Sequence, residues 1–327
     1  MASLSKTQLY FIVIPLIVAV TSVGLGFAIG IIPYNGKKCE EIWRQSAEFS
    51  PARDYAATIE MGDKEQFVIL NLADIQLHTM DTKHINQSFE MLTDLINTTH
   101  PDLITLTGDQ VSGGYVKGAL KKICKFIDSF GIPWAPVLGN HDGQGNVTRN
   151  GNGDIYLSGK YKNVIFRKND PSLGVGNYII NITKNGQSVH SVFMIDSHDT
   201  RVYETGRDYD YIWYSQIAWY EWAVKGIAAS NGGNVVPSSC YFHIPLVEYR
   251  AAYEGYKQGI YTGGGVNRED ICCADHGNKT AAYNSGLFTK IKELNSTNLV
   301  LVGHDHVNCS WVDYQGVKLA YGMKSGG

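Results

Sequence analysis

The feature that most constrains the fold is the alternation of short apolar runs with amphipathic segments in the first half of the chain. Apolar runs at residues 66–75, 101–109 and 132–142 are separated by segments with a helical apolar face at residues 84–99 and 118–131. Strands that are connected through helices pair in parallel, with right-handed crossovers. The chain is therefore predicted to form an α/β fold, and not a coiled coil or a disordered tail.

Polar residues collect where these apolar runs end, and two later apolar runs end in the same way. The carboxyl ends of parallel strands meet at one edge of a sheet, where α/β proteins bind ligands. Nitrogen and oxygen donors without thiolates favour borderline or hard divalent metals. We therefore expect a metal site at this edge, formed by Asp74, Gln76, Asp109, Asn140, His243, His304 and His306.

The spacing of these residues has a mechanical reason. Residues i and i+2 of an extended strand face the same side, so Asp74 and Gln76 can point at one ion. His304 and His306 can likewise present one nitrogen to each of two neighbouring ions. A single aspartate after a strand is more often a turn or capping residue, and a single buried histidine is more often only hydrogen-bonded. The order and strand context of the whole set favour the metal interpretation.

The ordered motifs resemble those of the calcineurin-like metallophosphoesterase superfamily, and within it the purple acid phosphatase 29-like and Dcr2-like phosphatases of plants and fungi. The resemblance covers residues 66–323 and rests on "PDLITLTGDQV", "IPWAPVLGNHDG", "YFHIPLVEY", "NSGLF" and "LVGHDHVN". It implies a four-layer α/β/β/α sandwich with two mixed sheets.

The same resemblance implies a site with two divalent metal ions, Mn, Zn or Fe, and assigns ligands residue by residue. Asp109 is expected to bridge the ions, one completed by Asp74, Gln76 and His306 and the other by Asn140, His243 and His304. His141 is expected near the leaving-group oxygen, oriented by Asp142. Hydrolysis would proceed by attack of a hydroxide that bridges the two ions, with no covalent phospho-enzyme.

The sequence departs from the family pattern at Gln76, where the family usually has histidine. A glutamine variant occurs in manganese-dependent ADP-ribose/CDP-alcohol diphosphatases of the superfamily, so Gln76 is predicted to be a ligand. The alternative is that His78 or water takes this place. The tyrosine ligand of the purple enzymes is not recognisable, so no ferric charge-transfer site is inferred.

The N-terminal region predicts a membrane anchor. Residues 9–32 carry no charge, and a bilayer core requires about 20 apolar residues. Residues 33–65 are interpreted as a stalk and residues 66–327 as the metallophosphoesterase domain. The family continues beyond the point where this chain ends, so either the chain is a fragment or its last sheet is incomplete.

Sequons and cysteines indicate the compartment. Asn86 and Asn97 begin N-x-S/T sequons on the wet face of the helix at 84–99, whereas Asn308 lies beside the expected site and is not predicted to carry a glycan. Six cysteines suit an oxidising environment. The chain is therefore predicted to be a single-pass type II membrane glycoprotein, with its domain outside the cell or in the secretory lumen.

The predicted function is metal-dependent hydrolysis of a phosphorylated small molecule or protein. A phosphodiesterase or nucleoside-diphosphate-type pyrophosphatase is the alternative enzyme, and a non-catalytic surface glycoprotein that keeps the fold for binding is the alternative class. The formal net charge of −3 gives no argument for nucleic acid as a partner.

Overall fold

The computed structural model describes residues 47–78, 82–168, 170–203, 206–273 and 284–326. The predicted anchor at 9–32 lies outside these residues, as does the first part of the predicted stalk, residues 33–46. Within the described ranges, none of the helices combines the length and apolar character that a membrane span requires.

The described residues form helices and strands that are numbered here in chain order. The helices are α1 Pro51–Asp54, α2 Thr82–Thr99, α3 Val116–Asp128, α4 Arg149–Tyr156, α5 Tyr214–Ser230, α6 Glu248–Lys257 and α7 Leu287–Leu294. The strands are β1 Tyr55–Glu60, β2 Ile69–Leu72, β3 Leu103–Thr107, β4 Trp134–Val137, β5 Tyr178–Lys184, β6 Gln187–Met194, β7 Thr200–Tyr203, β8 Gly206–Tyr209, β9 Ser238–Tyr241, β10 Gly263–Gly264, β11 Thr297–Val302, β12 Trp311–Tyr314 and β13 Val317–Tyr321.

The smaller main sheet contains the strands that the sequence pattern predicted. Its order is β2-β3-β4, and both pairings are parallel. The crossovers run through α2 and α3, which present Leu92, Ile96, Leu120 and Ile123 to the core. The predicted strand–helix alternation is therefore confirmed, and all carboxyl ends of this sheet point to one edge.

The larger sheet is mixed, with the order β1-β5-β6-β9-β11-β13-β12-β10. It contains parallel pairs such as β6 with β9 and antiparallel pairs such as β5 with β6. The smaller sheet, by contrast, is parallel throughout. A separate two-stranded hairpin is formed by β7 and β8.

The sheets pack face to face, and β6 shows how the layers are built. Val192 and Met194 belong to the core that contains residues of the smaller sheet, while Phe193 between them contacts Trp219 and Tyr220 of α5. Successive side chains of a strand point to opposite faces. The order of layers is therefore α2 and α3, the smaller sheet, the larger sheet, and α5.

The predicted stalk is corrected at its C-terminal end. Residues 51–60 form α1 and β1, and β1 pairs in parallel with β5 at the edge of the larger sheet. The side chain of Tyr55 is buried, and Ala57 and Ile59 pack against the core. Alternating apolar residues in a short edge strand gave too weak a pattern to separate from a polar stalk, so the folded unit begins before residue 66.

Candidate metal centre

The turns that follow β2 and β3 bring the first carboxylates together. Asp74, Gln76 and Asp109 have positive φ angles of 51°, 45° and 50°. The Asp74 N–H donates to the Gly108 carbonyl at 3.1 Å, and the Gln76 N–H donates to the Asp109 carbonyl at 2.9 Å. Left-handed backbone is costly for residues other than glycine, and clusters of it occur at functional sites.

Glycine allows the turn after β4 to approach these carboxylates. A Cβ atom on Gly139 would lie 2.1 Å from Asp109 Oδ1. A Cβ atom on Gly108 would lie 2.6 Å from His243 Nδ1. Three chain segments pack so closely here that no side chain fits at either Gly108 or Gly139.

Asp74, Asp109 and His243 form a buried cluster whose ligand atoms all lie within 4.8 Å of one another. The three residues are at most 1% exposed. Two carboxylates without solvent are costly unless a cation or a hydrogen-bond donor compensates them. The cluster therefore has the composition and the burial of a cation site.

The orientation of the His243 ring supports this conclusion. Its Nδ1 lies 2.8 Å from the Thr107 carbonyl oxygen, which only accepts, so Nδ1 carries a proton. Its Nε2 faces Asn140 Oδ1 at 2.9 Å, Asp109 Oδ2 at 3.4 Å and His304 Nδ1 at 3.2 Å. Four atoms that can act as metal donors thus converge on one place.

A second group of donors lies on the other side of Asp109. His306 Nε2 is 3.6 Å from Asp74 Oδ1 and 3.0 Å from Gln76 Nε2. Asp74 Oδ1 in this group is buried without a hydrogen-bond partner, and so is the Nε2 atom of His304 in the first group. An unsatisfied buried atom requires an explanation, and a bound ion explains one that lies among other metal donors. The residues present therefore fit a centre with two divalent ions.

Burial and mutual charge shift the pKa values in this cluster strongly. Burial raises the pKa of Asp74 to about 7. Burial opposes ionisation of Asp109 too, but the charge and hydrogen bond of His243 hold the pKa of Asp109 well below its usual range. Burial and the charge of His243 lower the pKa of His304 well below its usual value, so this imidazole is neutral, as a metal ligand must be.

His141 has the position expected of a group that meets substrate. Its backbone N–H donates to Asp109 Oδ1 at 2.8 Å, while 38% of its side chain is exposed. Its Nε2 is 3.9 Å from Asp109 Oδ2, and its Nδ1 is 2.8 Å from Gln144 Oε1. The ring therefore lies at the mouth of the cluster.

The expected contact between Asp142 and the His141 ring does not occur in the structure. The Asp142 carboxylate is fully buried and accepts the backbone N–H groups of Asp109 and Gly139, both at 2.8 Å, and of Val111 at 3.3 Å. Adjacent residues project in different directions at this turn, so Asp142 points inward where His141 points outward. Asp142 joins the turns after β3 and β4, and Gln144 is the partner of the His141 ring.

The structure brings Gln76 into the cluster, and His78 lies elsewhere. Gln76 Nε2 is 3.4 Å from Asp109 Oδ2, while its Oε1 accepts from Lys324 Nζ at 3.4 Å. Rotation of the amide by half a turn would bring its oxygen, the atom that binds metals, to the place of the nitrogen. His78 is exposed and lies against Gly113.

Three residues near the cluster were not identified from the sequence. Arg149 donates to the Gly139 carbonyl at 2.5 Å and forms an ion pair with buried Asp196. Lys324 reaches Gln76 from the last described segment of the chain. The ring of Tyr209 meets the His304 ring edge-on, with centroids 4.4 Å apart. None of them belongs to the polar clusters that follow the long apolar runs, and those clusters were the signal that identified the other site residues.

Comparison with known proteins agrees with this geometry. Residues 67–308 match the sequence profile of the calcineurin-like phosphoesterase family. The site and fold thus define a metallophosphoesterase, and the chain belongs to the calcineurin-like phosphoesterase family.

Individual relatives come from plants and yeast. Probable inactive purple acid phosphatase 29 of Arabidopsis thaliana is 31% identical over 68% of this chain and 59% of its own length. Phosphatase DCR2 of Saccharomyces cerevisiae is 28% identical over 79% of this chain and 47% of its own length. The chain thus spans about half of the length of these curated relatives.

A solved structure shows the same fold. The crystal structure of a dimetal phosphatase from Danio rerio aligns with a TM-score of 0.51 and 12% identity, over 79% of this chain and 88% of that chain. At this identity the similarity concerns the fold alone.

Proposed function

We propose that the protein is a metal-dependent hydrolase of phosphate esters. The observation that carries the proposal is the buried convergence of Asp74, Asp109 and His243, with Asp74 Oδ1 and His304 Nε2 left without hydrogen-bond partners. This arrangement is expected of a pocket for divalent cations, and a two-metal site is suited to phosphoryl chemistry.

The donors divide into two sets that share Asp109. One set is completed by Asp74, Gln76 and His306, and the other by Asn140, His243 and His304. When bound, two divalent ions supply charge for the phosphoryl oxygens and lower the pKa of a water molecule. Mn, Zn and Fe all suit ligands of this kind.

The protein's own residues hold this arrangement rigid and serve the leaving group. The Thr107 carbonyl fixes the His243 ring, and the Asp142 carboxylate fixes the backbone of Asp109. His141 stands at the open side of the cluster, where its Nε2 can donate to the leaving-group oxygen. The His141 ring is both exposed and close to the cluster, and a proton donor for the leaving group must be both.

The competing function is binding without catalysis. The name of the plant relative calls it probably inactive, whereas the yeast relative is named a phosphatase. In this chain, Gln76 in place of histidine favours the non-catalytic alternative. Retention of every other expected ligand favours catalysis, because a site released from selection is expected to lose several ligands.

We further propose that this domain is anchored to a membrane through residues 9–32 and faces an oxidising compartment. Asn86 and Asn97 are exposed on α2, which suits glycosylation, whereas Asn308 is buried and its Oδ1 accepts from the Arg268 N–H at 2.9 Å.

The substrate is a phosphomonoester, with phosphodiesters or diphosphates as the alternative.

The test uses the full chain produced in a glycosylating host and loaded with Mn²⁺, Zn²⁺ or Fe²⁺ in turn. Hydrolysis of p-nitrophenyl phosphate and of bis-p-nitrophenyl phosphate is measured together with bound metal. Asp109→Asn removes the charge shared by both donor sets, so we expect a loss of turnover of more than about a hundredfold.

Asp154→Asn is the matched control, because the Asp154 side chain is 73% exposed and forms an ion pair with Lys168 at the surface. It should keep turnover and metal content. Folded protein that holds two ions but hydrolyses neither ester would support the binding function instead.

A further inference from the structure

We propose that Lys324 binds the phosphoryl group of the substrate and biases the site toward phosphomonoesters, an inference that rests on the proposed function. Lys324 does not belong to any of the metal-ligand motifs, and it is not a member of either donor set. The juxtaposition that carries the inference is an ammonium group held at the edge of a cluster built for an anionic substrate.

The backbone fixes Lys324 beside the strand that carries Asp74. After β13, the chain runs alongside residues 73–75, and Lys324 forms a parallel bridge with Ala73. The Ser325 N–H donates to the Ala73 carbonyl at 2.7 Å, and the Ala73 N–H donates to Ser325 Oγ at 3.2 Å. These two bonds fix the backbone directly after Lys324, and the Gly322 N–H, which donates to the Val302 carbonyl at 2.7 Å, fixes it two residues before.

Close packing at the neighbouring glycines confirms that this segment is tightly fitted. A Cβ atom on Gly326 would lie 1.8 Å from the Ile75 carbonyl oxygen, and one on Gly322 would lie 2.4 Å from Asn71 Nδ2. Only glycine fits at these two positions, since Gly326 lies against the turn after β2 and Gly322 lies between β2 and the Val302 carbonyl of β11. The origin of the Lys324 side chain is fixed relative to the metal donors.

The side chain extends from this fixed origin toward the donors. Its Nζ is 3.4 Å from Gln76 Oε1, and the side chain is partly buried. Its positive charge contributes, after burial, to the lowered pKa of His306 and also favours the ionised form of Asp74. The ammonium group is thus electrostatically part of the cluster.

The hydrogen bond between Lys324 and Gln76 is weak for a lysine side chain. A neutral amide oxygen at 3.4 Å satisfies an ammonium poorly, and among the described residues Lys324 forms no ion pair with a carboxylate. Arg149, the other cation next to the cluster, is already committed to Asp196 and the Gly139 carbonyl. Lys324 therefore remains available for an anion at the site.

Charge identifies the class of that anion. At neutral pH a phosphomonoester carries between about 1.5 and 2 negative charges, whereas a phosphodiester carries about one. If two divalent ions and a hydroxide were held by the two aspartates, the net charge would be about +1, and Lys324 would raise it by one. The complete site thus matches a phosphomonoester dianion in charge.

The test compares Lys324→Met, which removes the charge and keeps the length, with Lys324→Arg, which keeps the charge. Lys225→Met is the control, because the Lys225 side chain is 62% exposed on α5, where it pairs with Glu221. For each metal-loaded full chain, KM and kcat are measured with p-nitrophenyl phosphate and bis-p-nitrophenyl phosphate. Binding of inorganic phosphate is measured by calorimetry and metal content by elemental analysis.

We expect Lys324→Met to raise KM for the monoester about tenfold, the effect of losing one charge-assisted hydrogen bond, and KM for the diester much less. Phosphate affinity should fall by a similar factor, Lys324→Arg should restore most of both, and metal content should stay unchanged. Equal changes for the two esters, or unchanged phosphate affinity, would overturn the inference.

Loss of metal from Lys324→Met would also overturn it, since Lys324 would then act through Gln76 on the metal centre. The phosphate measurement separates this inference from the proposed function. If the wild-type chain binds phosphate without turnover, catalysis fails as a function, while the affinity of Lys324→Met still decides whether Lys324 holds the anion. A wild-type chain that binds neither phosphate nor metal would overturn both.

Discussion

His141 and Asp109 are in contact, but their side chains differ in accessibility and therefore in role. Their contact is a backbone N–H donated to a carboxylate, yet the Asp109 side chain is 1% exposed and that of His141 is 38% exposed. Asp109 therefore has its role inside the cluster, whereas the imidazole is free to meet a substrate. The difference follows from the turn after β4, which Asp142 holds from the inside through the Gly139 N–H.

Replacement of His141 tests the proton-donor role. We expect His141→Gln to lower kcat about a hundredfold for phenyl phosphate, because a poor leaving group needs protonation. The reduction should be much smaller for p-nitrophenyl phosphate, since its leaving group is stable as an anion. Turnover of both esters is measured with bound metal, which should not change because His141 is not a donor in either set. An equal reduction for the two esters would assign His141 to phosphate binding instead.

The elements of the fold differ in how far the sequence foretells them. Strands β2, β3 and β4 and helices α2 and α3 follow from apolar runs and helical periodicity alone. The site residues at the ends of these strands follow as well, because parallel strands end at one edge. Edge strand β1 does not follow, since its pairing with β5 depends on a partner more than a hundred residues away. Lys324 and Arg149 were missed because neither belongs to a polar cluster that follows an apolar strand, and their contacts with Gln76 and Asp196 exist only in the folded chain.

The turn after β4 permits an element-scale prediction about close packing. Gly139→Ala would place a Cβ atom 2.1 Å from Asp109 Oδ1. The turn must then move away from β3, at a cost of about 1–3 kcal/mol, and Asp109 must shift with it. We expect a lower melting temperature together with weaker metal binding.

The control is Gly114→Ala, because a Cβ atom on Gly114 would lie more than 4 Å from every atom of the described residues apart from its chain neighbours. Melting temperature is followed by circular dichroism, and metal affinity by competition with a chelator. Weaker metal binding in both variants alike would contradict the argument, because only Gly139 is close to Asp109.

At the scale of the whole molecule, an ion pair links the two main sheets behind the metal centre. Arg149, at the start of α4, contacts the Gly139 carbonyl after β4 and the carboxylate of Asp196, which follows β6. Asp196 also accepts the N–H groups of Val175 at 2.7 Å and His198 at 2.9 Å. Tyr178 of the larger sheet adds a hydrogen bond to the Pro136 carbonyl of the smaller sheet at 2.7 Å. These contacts therefore fix the metal donors of the two sheets in position relative to each other.

This ion pair predicts how stability depends on pH. Burial opposes ionisation of Asp196, but Arg149 and His198 outweigh it and keep the pKa of Asp196 below its usual value. A carboxyl with a depressed pKa in the folded state stabilises the fold above its unfolded pKa of about 3.9. That stabilisation is lost as the pH falls through the folded pKa. Asp196→Asn should therefore cost about 3 kcal/mol at pH 7, because Arg149 is left partly buried without its counter-charge, and less in acid.

The measurement is urea unfolding between pH 3 and pH 7 for the wild type, Asp196→Asn and the surface control Asp154→Asn. The free-energy curves of the wild type and Asp196→Asn should converge as the pH falls, while that of Asp154→Asn should follow the wild type throughout. A constant difference across this range would mean that Asp196 contributes through packing and not through its charge. Convergence would show that the Arg149–Asp196 link between the two sheets stabilises the protein through its charge. Metal affinity should then weaken in acid by more than protonation of the metal donors alone explains.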